Sequence, residues 1–411
     1  MISVLHRIEI ANFYSIRDPQ IIDLLAASNA PNDPGRLAPV WRGASERAPK
    51  VVALFGANAS GKSNVLKALS FLAWFARDSF QLAPTGLGSW LLFQRFNDQE
   101  MVFAPTRLAV YFAGPIDLER ADDPDVTQCR YGYEVVLGGS LGEPHRVLRE
   151  RLIYWPVHVG RPIRLFDRDE QGTVRRGRAF GLAGYSKPLQ KVLRFNVSVI
   201  CTLAQLGHPA GTVLWRAAGT IISNILVQKT ELNDQQIAQS YAANPTLLKR
   251  LNRDLERIGL GVRAMQLQTD ANGPAAWFEH DGLSGLVPAL FESNGTRQFI
   301  RIFPLIFQTL ESGGVAIIDE LDLTIHPLIL LEIIRWFHDP ERNPHNAQLW
   351  MTCHNASLLE DLTKEEVLFC EKDAGGRSTI YSLRDVQAVR RDDNYYRKYL
   401  GGVYGAIPRV G

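Results

Sequence analysis

The fold is decided by the stretch VVALFGANASGKSN, residues 51–64. Its first five residues are apolar and predict a short strand that is buried on both faces. The glycine-rich stretch 56–63 follows, and residues 64–77 then carry apolar side chains at helical spacing. A strand, a Gly-x-x-x-x-Gly-Lys-Ser loop and a helix in this order form a complete phosphate-binding loop. The sequence therefore predicts an α/β fold with a phosphate site at one edge of its sheet.

Each residue type in this loop suits phosphate chemistry. Gly56 and Gly61 permit backbone torsions that turn successive N–H groups toward one concavity. Lys62 would reach the phosphate oxygens, and the Ser63 hydroxyl would occupy one coordination position of Mg²⁺. The other candidate nucleotide contacts in the loop are its remaining polar residues, Asn58, Ser60 and Asn64. The alternative, a glycine-rich turn that binds nothing, does not explain the strand and helix on either side.

Two further apolar strands end in residues that could act on a nucleotide. Val315–Ile318 is followed by Asp319 and Glu320. Asp319 would hold Mg²⁺ through a water molecule, and Glu320 would act as the general base on the attacking water. A strand at 349–352 precedes His354, which could contact the γ-phosphate; a solvated histidine without a role is the alternative.

Composition excludes several classes of protein. The 411 residues include 46% apolar and 21% charged side chains, which is typical of a globular chain rather than a disordered or collagenous one. The net charge of +2 gives no global attraction to nucleic acid. We find no apolar run long enough to span a membrane and no signal peptide, so we expect a cytoplasmic protein with no membrane partner. The four scattered cysteines are expected to be reduced and mostly buried.

Periodicity predicts three regions between and after these motifs. A β-rich region includes strands at 108–112, 131–137, 152–155 and 163–166, continues through 175–180, and has a hairpin turn at 138–140. A helical region includes helices at 189–206, 213–227 and 234–258. Strands return at 261–290, followed by helices at 295–312 and 327–337.

The motifs resemble those of a known group. In their order along the chain, the loop 56–63, Asp319-Glu320 and His354 are similar to those of ABC-type ATPases of the SMC-like branch. More narrowly, the chain resembles the bacterial AAA-family ATPases of the abortive-infection or OLD-like group. The narrower resemblance rests on NFYS (12–15), YGY (131–133), SNGT (293–296), DELDLTIHP (319–327), TCHN (352–355) and YLGGVYGAIP (399–408).

The resemblance implies a P-loop ABC-type ATPase head, a mixed β-sheet core with flanking helices that uses ATP and Mg²⁺. The two halves of the head would be residues 1–90 and 261–411, with a β-rich lobe at 91–185 and a helical insert at 186–260. Ser293 and Gly295 would belong to the signature motif that reaches the nucleotide of a second copy; a plain helix cap is the alternative for Ser293. Gln94 would join Mg²⁺ to the attacking water. Tyr14 stands where this group often has a basic residue.

The expected partners follow from the same resemblance. It implies a homodimer or higher homo-oligomer and a separate effector protein, a nuclease or a toxin. The 57 residues after His354 contain no Asp-x-Asp pair, so we expect no TOPRIM nuclease domain there. Two basic clusters are either solvated surfaces or non-specific contacts to nucleic acid: Arg175, Arg176 and Arg178, then Arg390, Arg391, Arg397 and Lys398. We expect structural roles for the isolated histidines His158, His208 and His280.

The sequence thus favours an ATP-binding, ATP-hydrolysing sensor or regulator in bacterial anti-phage defence that controls a separate effector. The defence role rests on resemblance alone. One alternative is an SMC-like ATPase that clamps DNA directly, although no long coiled coil is predicted. Another is an ATP-bound scaffold that sequesters a toxin.

Overall fold

The computed structural model describes residues 3–81, 93–139, 145–156, 159–229, 232–259, 261–270, 273–323 and 325–407. Its strands are β1 (Ser3–Ala11), β2 (Gln20–Asp23), β3 (Leu37–Pro39), β4 (Arg47–Pro49), β5 (Val51–Phe55), β6 (Thr106–Pro115), β7 (Gln128–Gly138), β8 (Arg146–Trp155), β9 (Ile163–Arg168), β10 (Val174–Arg176), β11 (Ile221–Ser223), β12 (Val262–Asp270), β13 (Gly273–His280), β14 (Val287–Pro288), β15 (Val315–Ile318), β16 (Gln348–Thr352), β17 (Val367–Lys372) and β18 (Ser378–Ser382). Its α-helices are α1 (Lys62–Asp78), α2 (Ser186–Val192), α3 (Val199–Gln205), α4 (Pro209–Ala218), α5 (Asp234–Ala243), α6 (Pro245–Ile258), α7 (Asn294–Ser312), α8 (Pro327–His338) and α9 (Tyr395–Leu400).

A six-stranded sheet in the order β11-β15-β16-β5-β17-β18 forms the centre of the fold. All of its neighbours pair in parallel except β18, which is antiparallel to β17. Strands β5, β15 and β16 are buried at every residue. Their side chains alternate between two hydrophobic cores, one on each face of the sheet. This two-sided burial explains why the sequence shows continuous apolar runs here rather than alternation.

A seven-stranded antiparallel sheet in the order β10-β9-β8-β7-β6-β1-β2 forms a second layer. Its inner face and the central sheet enclose helices α1, α3 and α4 in one core. Gln348 of β16 joins the two sheets, because its side-chain amide binds the N–H of Leu5 at 2.8 Å and the carbonyl groups of Leu5 and Pro49 at 3.0 and 2.9 Å. The predicted mixed α/β fold with a β-rich lobe is therefore confirmed.

The other face of the central sheet packs against α7 and α8. Helices α5 and α6 and the small sheet β12-β13-β14 extend this second core. The helices predicted at 295–312 and 327–337 are confirmed as α7 and α8. Among the described residues, no helix is both long and apolar enough to cross a membrane.

Two predicted helices are each broken in two. The helix predicted at 189–206 is α2 and α3, separated at 193–198, where the Ser198 side chain caps α3 by accepting from Ile200 and Cys201 N–H groups. The helix predicted at 234–258 is α5 and α6. Pro245 cannot occupy a helix interior without loss of a hydrogen bond, so it begins α6 instead, and Asn244 caps that helix through the N–H of Leu247.

The helix predicted at 213–227 is wrong beyond residue 218. Helix α4 ends at Ala218, and Ile221–Ser223 forms β11, which pairs in parallel with β15 at the edge of the central sheet. The apolar residues here fit helix and strand equally well, and pairing with β15 decides between them. Similarly, of the predicted β region 175–180, only Val174–Arg176 is a strand. Ser140 of the predicted hairpin turn lies outside the described residues, although the flanking β7 and β8 do pair.

Candidate nucleotide-binding site

Three segments meet at the carboxyl ends of neighbouring parallel strands. The phosphate loop follows β5, Asp319 and Glu320 follow β15, and His354 follows β16. Ligands of open α/β sheets bind at this edge. A cavity of about 480 Å³ opens there, lined by Asn58, Ala59, Ser60, Gly61, Lys62, Ser63, Asn64, Glu320, Leu323, His354 and Lys372. The structure therefore brings most of the predicted nucleotide contacts together with the predicted base and the predicted histidine.

The two predicted glycines are required by the shape of the loop. Gly56 and Gly61 have φ angles of 148° and 108°, which side-chain-bearing residues rarely adopt. A Cβ atom at Gly56 would collide with the carbonyl oxygen of Cys370, and one at Gly61 would collide with the hydroxyl of Ser378. Gly61 also occupies the N-cap of α1, so the positive end of that helix dipole faces the cavity. The loop thus has the cradle that a phosphate group needs.

Lys62 is held inside the loop. Its Nζ atom donates to the carbonyl oxygens of Gly56 and Ala57 at 2.8 and 3.0 Å. The side chain is largely buried, and this burial lowers the pKa of its ammonium group from the usual value. A buried ammonium held only by carbonyl groups gains most from an anionic ligand. Lys62 is therefore suited to bind phosphate oxygens.

Ser63 and Asp319, the residues predicted to hold Mg²⁺, form a hydrogen bond with each other. The Ser63 hydroxyl donates to Asp319 Oδ1 at 2.9 Å. Thr352 donates to the same carboxylate oxygen at 2.7 Å, which fixes its orientation. A hydroxyl and a carboxylate oxygen are hard donors of the kind that Mg²⁺ takes from proteins when phosphates supply further ligands. Among the described residues, no group of three or more His, Cys, Asp or Glu side chains is placed to hold a metal ion.

The side chain of Asn224 forms two hydrogen bonds with the backbone of Asp319. Its Oδ1 atom accepts from the Asp319 N–H at 2.8 Å, and its Nδ2 atom donates to the Asp319 carbonyl at 3.2 Å. Asn224 follows β11, and Ser223 of that strand bonds Ser70 of α1 at 2.8 Å. The role of Asn224 was not predicted, because the sequence pattern of its segment favoured a helix of the insert.

Glu320 is positioned by both its backbone and its side chain. Its φ of 54° is unusual for a residue other than glycine, and its N–H donates to Thr352 Oγ1 at 2.7 Å. The carboxylate lines the cavity and forms an ion pair with Lys229, with 3.2 Å between Nζ and Oε2. Lys229 is not among the residues that line the cavity. Sequence analysis missed Lys229, since only tertiary structure brings 229 next to 320.

His354 is exposed at the rim of the cavity, and Asp322 fixes its backbone. Asp322 Oδ2 accepts from the N–H groups of His354 and Asn355 at 2.6 and 2.5 Å. This contact connects the segment after β15 to the segment after β16. The contact of Asp322 with the His354 backbone was not predicted from the sequence.

A known protein family resembles this chain in the segments that form the site. A family described as "AAA domain, putative AbiEii toxin, Type IV TA system" matches residues 51–108 and 210–360, just over half of the chain. The chain belongs to this family. The matched ranges include the phosphate loop, Asp319, Glu320 and His354. No curated protein matches the sequence. Among solved structures, the SMC head domain from Thermotoga maritima is 14% identical, with 92% of this chain and 98% of that chain covered and a TM-score of 0.41.

In this AAA-domain protein, Ser15, which lies between β1 and β2, connects the phosphate loop to Ser378. Ser15 Oγ accepts from Asn64 Nδ2 at 2.7 Å and contacts Ser378 Oγ at 2.7 Å. Ser378 Oγ in turn donates to the Ser60 carbonyl at 2.6 Å. Asn64 is therefore a loop-bracing residue as well as part of the cavity lining. Tyr14 stands where the group that this chain resembles often has a basic residue. The ammonium nitrogen of Lys67 lies 4.6 Å from the centroid of the Tyr14 ring.

In the AAA-domain structure five predicted residues do not line the cavity. Two of them, Gly56 and Asp319, bond Lys62 and Ser63 of the lining, and the other three are Gln94, Ser293 and Gly295. Gln94 is exposed and its carbonyl accepts from the Tyr14 N–H at 2.7 Å, but its side chain is not part of the lining. Ser293 caps α7 by accepting from the Thr296 N–H at 3.1 Å, and Gly295 lies in the first turn of that helix. Neither lines the cavity of its own chain. Ser293 is exposed, so it is free to meet a second molecule.

The isolated histidines have structural partners where the structure describes them. His208 Nδ1 accepts from Gly211 N–H at 3.0 Å and caps α4. His280 Nε2 lies 2.5 Å from Glu292 Oε1. His158 lies outside the described residues. The structural roles expected of His208 and His280 fit these contacts.

Proposed function

We propose that this AAA-domain protein binds and hydrolyses ATP with Mg²⁺, and that two or more copies sandwich the nucleotide through their heads. We further propose that it acts in the cytoplasm in bacterial anti-phage defence, where hydrolysis controls a separate effector protein, a nuclease or a toxin. One observation carries the enzymatic part: the Ser63 hydroxyl lies 2.9 Å from Asp319 Oδ1, at the end of a loop whose shape requires glycine at positions 56 and 61.

Different residues of the site would bind the phosphates, hold Mg²⁺ and accept the proton of the attacking water. The N–H groups of the loop and Lys62 bind phosphate oxygens, while Ser63 and Asp319 hold Mg²⁺, which neutralises charge on the phosphates. Glu320 accepts the proton of the attacking water, because its carboxylate reaches the cavity while Lys229 holds only Oε2. Thr352 joins the two acidic residues by contacting the Asp319 carboxylate and the Glu320 N–H.

Exposed apolar side chains support the sandwich of two heads. Leu290 and Phe291, just before Ser293, are 70% and 75% exposed, and Leu323 at the cavity rim is 55% exposed. Contact with a second copy would remove these apolar side chains from water, which is favourable. Because Leu290 and Phe291 lie beside Ser293, and Leu323 lies beside Glu320, a second copy would cover all three while bringing Ser293 toward the nucleotide.

The proposed control of a separate effector protein is supported by the description of the family. Its description names a putative toxin and a type IV toxin–antitoxin system. That context fits an ATPase that acts together with a second protein. The narrower OLD-like assignment stays a prediction.

Light scattering of the Glu320→Gln variant tests the sandwich. With ATP and Mg²⁺ the solution mass should rise to a dimer or a multiple of it, since ATP is retained when the base is removed. Adding Ser293→Arg should abolish the rise, whereas Ser28→Arg, at an exposed loop residue, should not. If nucleotide binds but the mass does not change with ATP, the switching proposal is wrong. A constant large oligomer would instead favour the scaffold.

Lys229 provides a second test, because we expect it to position Glu320. Lys229→Met should lower kcat about tenfold, the equivalent of one lost hydrogen bond to a charged group of about 1.5 kcal/mol. The Kd for ATP should stay unchanged because Lys229 is outside the cavity lining. Phosphate release and fluorescent-nucleotide titration measure the two quantities.

The controls for this test are two substitutions. Lys229→Arg keeps a cation beside Glu320 and should restore most of kcat. Lys249→Met removes an equal charge from the exposed face of α6 and should have no effect. An unchanged or increased kcat in Lys229→Met would contradict the positioning role.

A further inference from the structure

The outer face of the seven-stranded sheet is open and rich in arginine. Side chains alternate between the two faces of a strand, and register extends each set across the sheet. The inner set, which includes Val110, Tyr133 and Leu152, packs against the helices of the core. The outer set on β1 and β6 to β9 carries three carboxylates, Glu9, Glu134 and Asp167. The arginines of the same face are Arg7, Arg107, Arg130, Arg146, Arg149, Arg151 and Arg164.

Two aromatic rings lie at the centre of this face, over Gly132. A Cβ atom at Gly132 would lie only 3.1 to 3.3 Å from side-chain atoms of Tyr111, Ile153 and Trp155, so these three side chains pack closely over the glycine. The rings of Tyr111 and Trp155 have centroids 6.1 Å apart. The Arg7 guanidinium lies 5.0 Å from the centroid of the Tyr111 ring. The Tyr111 and Trp155 side chains are partly exposed, so planar groups can reach them.

The charges around these rings are incompletely compensated. The ion pairs on this face are Arg7 with Glu9, Arg107 with Glu9 and Glu134, Arg130 with Glu46, and Arg149 with Asp167. Arg151 and Arg164 form no ion pair among the described residues, and the Nε atom of Arg151 is buried without a hydrogen-bond partner. The hydrogen bond from Arg149, together with the charges of Arg151 and Arg164, holds the pKa of Asp167 below its usual value. The face therefore has a positive potential beside an aromatic surface.

We propose that this face binds single-stranded nucleic acid without strong sequence preference. The arginines would contact the phosphates, and a base would stack against the exposed parts of the Tyr111 and Trp155 rings. Proteins that bind single strands combine a positively charged surface with aromatic rings, since every base has a planar face. A duplex hides those faces within its stack, so it would leave the two rings unused. This inference concerns a surface other than the nucleotide cavity and does not depend on ATP hydrolysis.

The basic cluster at 390–398 is less suitable for binding nucleic acid. Arg391 pairs with the buried Glu365 at 2.5 Å, and Lys398 pairs with Asp393 at 2.6 Å. Tyr395 and Tyr399 are buried in the second core rather than available for stacking. These side chains stabilise α9 against the central sheet. Arg175 of the first cluster, by contrast, lies on β10 opposite Asp167 and extends the outer face.

Fluorescence anisotropy with the full chain and a fluorescein-labelled 20-nucleotide oligothymidine tests this proposal. We expect binding that weakens steeply with salt, and at least tenfold weaker binding of a matched duplex. The double variant Arg151→Glu and Arg164→Glu should weaken binding at least tenfold. It should also reduce the slope of log K against log salt by about 1.4, or about 0.7 per lost phosphate contact.

The proposed stacking of bases on Tyr111 and Trp155 is tested separately. Trp155→Ala should weaken binding about tenfold without changing the salt slope, which is the effect expected for one lost stacking contact. Tyr111→Leu keeps an apolar side chain but removes the ring, so it repeats the test if Trp155→Ala fails to fold. The double variant Arg253→Glu and Arg257→Glu makes the same charge change on the exposed face of α6 and should bind normally.

Three outcomes would overturn the proposal. The first is no binding of the oligothymidine at low salt. The second is equal loss of binding in the α6 control, which would show an effect of net charge alone. The third is equally tight binding of the duplex with no effect of either aromatic change, which would show a phosphate-only surface of a different kind.

Discussion

Replacing Glu320 by glutamine should lower kcat for ATP hydrolysis at least a hundredfold, because general-base catalysis contributes about 10²–10⁴ to rate. The amide has the shape of the carboxylate but cannot accept the proton of the attacking water. The N–H of residue 320 would still bind Thr352, so the backbone with its positive φ should be retained. Lys62, Ser63 and Asp319 are unchanged by the substitution. ATP should therefore bind with the wild-type Kd.

Single-turnover phosphate release and nucleotide titration measure the two quantities on the same samples. Glu256→Gln is a matched control, since it removes a carboxylate from the exposed face of α6. A fall of less than tenfold would show that another group takes the proton, and Glu320 would lose its role as base. If ATP binding fails as well, the substitution has disturbed the loop around Asp319, and Thr352→Val, which affects the same contacts, should reproduce that loss.

Local patterns determined what the sequence could predict about this site. The phosphate loop was predictable because a buried strand, two glycines and a helix start are adjacent in sequence, and each follows from backbone geometry. Asp319, Glu320 and His354 were predictable because each directly follows a continuous apolar strand. Parallel strands then place all three segments at one edge of the central sheet.

The residues that surround and orient this site were not predictable in the same way. Lys229 and Asn224 contact Glu320 and Asp319 from about 90 residues earlier in the chain. Their segment was interpreted as helix, because only pairing with β15 shows that Ile221–Ser223 is an edge strand. Asp322 was visible as part of a motif, yet its contact with the backbone of His354 depends on how two loops meet. A one-dimensional pattern contains no information about such contacts.

A buried cluster around Glu150 should dominate the stability of the β-rich lobe. Glu150 of β8 is fully buried and accepts from Tyr133 Oη and Ser198 Oγ at 2.9 Å each, and from the N–H of Val199 at 2.8 Å. Arg168 of β9, 1% exposed, lies 3.6 Å away. The carboxylate thus joins three strands of the outer sheet to the N-terminus of α3. Burial raises the pKa of Glu150, which shows how costly its charge would be without these partners.

Glu150→Ala should therefore lower the Tm by roughly 3–6 °C, since removing one partner of a buried ion pair costs about 3–5 kcal/mol and the Tm of a 411-residue chain shifts by about 1.2 °C per kcal/mol. The loss leaves Arg168 as an uncompensated buried charge and the Tyr133 hydroxyl without its acceptor. Combining Glu150→Leu with Arg168→Met removes both charges and replaces them with apolar volume, so this double variant should recover most of the lost Tm. Thermal scans by circular dichroism compare the variants. If the double variant is as unstable as the sum of its single changes, the hydrogen bonds to Ser198 and Val199 matter more than the charge, and the cluster stabilises the lobe by capping α3.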